Sequence, residues 1–75
     1  MNYSEVAIAY MLDKAKADRS AAMTSLTILL NHPTGIGDHS TEDLHNNLDE
    51  ALSKLADADD RIQTIQKYFL NTNQE

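Results

Sequence analysis

From Leu44 to the end of the chain the apolar residues keep a strict rhythm. Leu44, Leu48, Ala51, Leu55, Ala58, Ile62, Ile65 and Phe69 follow one another at alternating steps of four and three. That spacing holds side chains on one seam of a helix packed against another helix. Asn46, Asp49, Glu50, Ser53, Asp57, Asp60, Gln63 and Lys67 occupy the opposite face, as a solvated face requires. The pattern predicts a helix over 41–70, capped by Ser40 or Thr41. Glu42 and Asp43 fall in its first turn, where negative charge meets the positive end of the helix dipole. Asn71 is expected to end the helix, ahead of a polar tail over 71–75.

The first half of the chain is less regular. Ile8, Met11, Leu12, Ala15, Ala22, Met23, Leu26, Leu29 and Leu30 form a stripe wider than a two-helix seam, interrupted at Asp18, Arg19 and Ser20. A helix over 4–31 is predicted, starting at Ser4 and ending at Asn31, because Pro33 disfavours helical geometry at His32. Folding the chain about Ile36 places Ala22 near Ala51 and Ala15 near Ala58, small residues that let two helices approach closely. The expected fold is all-α: a single domain over 1–75, an antiparallel two-helix hairpin with a coiled-coil-like seam and a loop over 32–40.

One hairpin cannot bury a stripe this wide, nor Leu52 and Tyr68, which lie off the second seam. Seventy-five residues without a cysteine leave disulfides and thiolate metal sites out of reach. A lone core of this size supplies at most about 3–5 kcal/mol. Pairing of identical hairpins into a homo-oligomeric helical bundle, a dimer first, covers the remaining surface.

Charge narrows the partners. Six Lys and Arg stand against twelve Asp and Glu, a net charge of −6. Nucleic-acid binding rests on a basic stripe that this chain lacks, and no apolar run approaches the length of a membrane span. Neither nucleic acid nor membrane is an expected partner, and the cytosol is the expected setting.

The connector carries the densest chemistry: His32, Pro33, Thr34, Gly35, Ile36, Gly37, Asp38, His39 and Ser40 include both glycines, the only proline and two of three histidines. Helical hairpins close with about 2–5 residues, so this loop is longer than turning demands. Gly35-x-Gly37 ahead of a helix N-terminus has the form of an anion cradle, with His32, Thr34, Asp38, His39 and Ser40 as candidate ligand contacts. No Walker lysine accompanies it, and the glycines serve equally as positive-φ turn residues. Arg19, on the seam between Ala15 and Ala22, is the candidate charge partner of an anion. Its plainer role is to set register by pairing with Asp57 or Asp18.

Other constellations are weaker. Glu42-x-x-His45 has the i, i+3 spacing of di-metal bundles, but facing carboxylates are missing, and no metal or other cofactor is expected. Asp38, His39 and Ser40 are consecutive and diverge, whereas a catalytic triad converges, so no enzymatic activity is expected. Tyr3, Tyr10 and Tyr68 lie toward the termini, as core packing or as an aromatic wall.

The run Pro33-Thr34-Gly35-Ile36-Gly37-Asp38-His39-Ser40, with the later Ala56-Asp57-Ala58-Asp59-Asp60-Arg61-Ile62, resembles small uncharacterised helical proteins of large tailed bacteriophages, T-even-like and marine ones among them. The likeness covers roughly residues 10 to 70. It implies a viral protein acting in the host cytoplasm and implies no activity. In size and architecture alone the chain is similar to phage hairpins that oligomerise and sequester cyclic-nucleotide signals of bacterial immunity.

Two functions follow as expectations. One is a non-enzymatic accessory protein whose oligomer binds a small, anionic nucleotide signal through the loop and Arg19. The other is an interaction module that docks on a host or virion protein without any small ligand.

Overall fold

In a computed structural model, residues 2–31 and 41–70 are described. Helix α1 spans Tyr3–Asn31 and helix α2 spans Thr41–Tyr68. They pack along one another, and the described residues contain no strand. Tyr10 and Met11 share a hollow with Ile65 and Phe69, while Ile28 and Leu29 face Asn47 and Glu50, so the helices run antiparallel.

The helix ends differ slightly from the sequence expectation. Asn2, and not Ser4, caps α1: its Oδ1 accepts from the Glu5 backbone N–H at 2.8 Å and from the Ser4 hydroxyl at 2.9 Å. A side-chain acceptor one turn ahead of free amides is the chemistry of an N-cap. Helix α2 stops two residues short of the expected 70. The amides of Phe69 and Leu70 both donate to the Ile65 carbonyl, at 2.9 and 3.1 Å, and this shared acceptor unwinds the last turn. Ser40 and Asn71 lie outside the described residues.

The core follows the predicted seam but is thin. Ala15, Ala22, Ala51 and Ala58 are buried together with Ile62 and Ile65, and among the described residues these are all the buried apolar groups. Ile8, Leu12, Leu26, Leu29, Leu44, Leu48 and Leu55 are half-buried at its edges. Four alanines at the contact bring the backbones close, at the cost of apolar area: an alanine methyl removes far less surface from water than a leucine. Phe69, expected on the seam, is 56% exposed and lies past the end of α2.

The molecule is long and narrow, 52 × 25 × 16 Å, with a radius of gyration of 16.5 Å. A compact domain of this length has a radius of about 11–12 Å. Its accessible surface is 5671 Å², against about 4,600 Å² for a compact chain of this mass. No helix among the described residues is long and apolar enough to cross a membrane.

Candidate functional site

The alanine waist is clasped by ion pairs on both of its sides. Asp18 lies one turn past Ala15 toward the loop and Arg61 one turn past Ala58 away from it, so the contact between them depends on the long Arg61 side chain reaching back along the waist. Arg61 donates from Nη2 to Asp18 Oδ2 across the helices at 2.9 Å, and from Nε to Asp57 Oδ2 one turn back at 3.0 Å. Lys14 Nζ donates to both Asp18 oxygens, at 2.7 and 3.0 Å. The four groups form one chain, Lys14–Asp18–Arg61–Asp57, tying α1 to α2.

On the other side Arg19 meets Asp59, Nη1 to Oδ1, at 3.6 Å. That is an ion pair but too long for a hydrogen bond. Arg19 therefore keeps its expected seam position with a different partner. Asp57 belongs to Arg61 and Asp18 to Lys14 and Arg61, and the rotation of α2 presents Asp59 on the Arg19 side. The network centred on Arg61 was legible as two i, i+4 pairs, Lys14–Asp18 and Asp57–Arg61, flanking the two alanines.

All these side chains keep a good part of their surface in water, and exposed pairs set register more than they add stability. The Lys14 ammonium, and after it the Arg61 guanidinium, hold the Asp18 carboxyl below the ordinary carboxylate range. Asp18 in turn raises the Arg61 guanidinium above its usual value. A lowered carboxylate pKa stabilises the fold fully above the unfolded value, about pH 4, and the contribution drains away as pH falls through the folded value. Asp18→Asn is thus expected to lower the thermal midpoint by a few degrees at pH 7. Melts at descending pH should show wild type and variant converging below about pH 4. A gap that does not narrow at all as pH falls below about 4 contradicts the assignment.

Two hollows flank the clasp, and Arg61 lines both. The larger, about 900 Å³, is an open groove with Ala21, Ala22, Ser25 and Ile28 on its α1 wall and Asn47, Glu50 and Lys54 on its α2 wall. Its cations are already engaged, Lys54 by Glu50 at 3.1 Å and Arg61 by the two aspartates. An anion entering this groove meets no free positive charge among the lining residues. The smaller hollow, about 370 Å³, is floored by Met11 and Ile65 and edged by Tyr10 and Phe69.

Of the ligand-contact residues expected from sequence, Arg19 lies at the waist. His32, Thr34, Gly35, Gly37, Asp38, His39 and Ser40 lie outside the described residues. Glu42 and His45 are exposed on the first turns of α2, and no group of three metal-ligating side chains occurs among the described residues. The tyrosines are not core groups: Tyr3, Tyr10 and Tyr68 are 93%, 64% and 66% exposed. The Lys67 ammonium lies 5.2 Å from the Tyr68 ring centre, a cation–π distance. Comparison with protein-family models, curated proteins and solved structures finds no match to the chain.

Proposed function

We propose that this chain is a self-associating interaction module, a helical hairpin that works by docking on other proteins. Its first partner is a copy of itself, and the assembled bundle is what meets a host or virion protein in the phage-infected cytoplasm. The observation that carries this reading is the apolar surface left over when the hairpin has formed. Tyr3, Val6, Tyr10, Met23, Ile28 and Leu30 all remain about half exposed or more on α1. Isolated apolar groups on a surface need no explanation, but long runs of them mark contact surfaces.

The acidic faces of α2 then remain outside, where they steer a basic partner surface toward the bundle. Nothing in this reading requires a reaction centre or a bound small molecule. Mass action tests it. Folding that is coupled to association makes the thermal midpoint rise with concentration, by about 5–10 °C for a hundredfold increase. A midpoint independent of concentration overturns the reading, as does saturable calorimetric binding of a cyclic nucleotide by a monomeric chain.

A further inference from the structure

The two helices differ in a way the hairpin does not use. Helix α2 is nearly one-sided: its seam faces α1 and its outer surface is polar apart from Leu52 and Tyr68. Helix α1 is apolar on two sides. Off the seam, Tyr3, Ala7, Tyr10, Ala17, Ala21 and Ile28 lie on a second line of alternating four- and three-residue steps, with Lys14 and Thr24 filling the remaining places. Its Tyr10, Lys14, Ala21 and Ile28 also rim the two hollows beside α2. Every residue of the line is exposed. Thr24 belongs to the line chemically, because its hydroxyl donates to the Ser20 carbonyl at 2.9 Å and its methyl is left facing out. A helix with an apolar line beyond its seam has surface to bury against a further layer.

Charge separates the helices as well. Helix α1 carries three acids, Glu5, Asp13 and Asp18, against three bases, Lys14, Lys16 and Arg19. Helix α2 carries seven acids against three bases, Lys54, Arg61 and Lys67. Two copies meeting through α2 bring like charge together, whereas two copies meeting through α1 bring neutral surfaces together.

We infer that the outer line of α1 is the docking surface for the α1 helix of a second copy, running antiparallel across a two-fold axis between residues 14 and 17. The inference rests on the self-association proposed above and specifies its face and direction. The axis sets Tyr10 against the partner's Ala21, Ala7 against the partner's Thr24 and Lys14 against the partner's Ala17. Near the axis Tyr10 and Lys14 each meet an alanine, which is what interdigitation needs, and at the two ends Tyr3 meets the partner's Ile28, two apolar groups in contact. Lys14 lays its stem over the partner's alanine while its ammonium stays on Asp18 at the rim. A parallel pairing instead stacks Lys14 on its own copy, like charge on like charge. The assembly is a four-helix layer in which the neutral α1 helices lie inside and the acidic α2 helices lie outside.

Sedimentation of the wild type, Ala21→Glu and Leu52→Glu measures the face. Both substitutions fall on exposed positions outside the hairpin seam, so circular dichroism at high concentration should show helices retained. The expected result is that Ala21→Glu reduces the particle to 8.4 kDa while Leu52→Glu keeps the wild-type mass. An Ala21→Glu chain that keeps the wild-type mass overturns this face and leaves self-association standing. A wild type that is itself a lone chain overturns both. Direction is read by cysteine pairing, since the chain has no native cysteine. An equal mixture of Lys14→Cys and Ala17→Cys chains should form mixed disulfide dimers faster than either forms alone. Lys14→Cys linking preferentially to itself overturns the antiparallel arrangement.

Discussion

Truncating Ile62 to alanine is expected to unfold most of the chain at micromolar concentration and room temperature. Ile62 is one of only two buried residues larger than alanine, 4% exposed, among the described residues. Removing a buried isoleucine down to its Cβ costs about 2–5 kcal/mol, part transfer and part cavity. A chain of this size has about 3–5 kcal/mol in hand. The helical signal at 222 nm should therefore fall most of the way to the coil value. Gln63→Ala, at the neighbouring exposed position, should leave the signal and melt unchanged within about 0.5 kcal/mol. A melt of Ile62→Ala within two or three degrees of wild type would show that the core described above does not hold the helices together.

The opposite change, Ala58→Leu, should also weaken the fold. Ala58 and Ala15 are fully buried at the waist, and extra carbons there have nowhere to go except between the helices. Overpacking of this kind costs about 1–3 kcal/mol, which lowers the thermal midpoint of a small domain by roughly 5–20 °C. Wider helices also stretch the Asp18–Arg61 hydrogen bond, now 2.9 Å, and the Arg19–Asp59 pair, already 3.6 Å. Two effects of the substitution thus act in one direction. Ala56→Leu adds the same carbons on the exposed side of α2 and should be nearly neutral. A stabilised Ala58→Leu chain would mean that the helices are not in close contact at the alanines.

How far the sequence discloses this molecule depends on which forces act locally. The α2 seam was plain because a strict four-three rhythm on a polar background has one physical solution. The facing alanines followed from it, since folding two seams about a central loop determines which residues meet. The cap at Asn2 went unread because Ser4 is an equally good capping residue by type, and only the geometry shows which oxygen faces the free amides. Arg19 was placed correctly and paired wrongly. Asp57 and Asp59 stand on either side of Ala58, and it is Asp59 that lies on the flank toward Arg19.

The second apolar line of α1 was hidden for a different reason. Tyr3, Ala7, Tyr10, Ala17, Ala21 and Ile28 blur into the seam when hydrophobicity is read as one stripe, so the helix looks irregular instead of two-sided. Burial separates the two lines, because one is covered by α2 and the other is not. The loop was legible as unusual and no further. Two glycines and two histidines state what a backbone or a ligand is able to do there, not which of them it does.

Sedimentation equilibrium of the purified chain at micromolar concentration bears most directly on the central claim, that identical copies share the apolar faces of α1. The account predicts a helical particle of twice the 8.4 kDa chain mass, or a higher even multiple. A stably helical particle of 8.4 kDa across the accessible concentration range would contradict it.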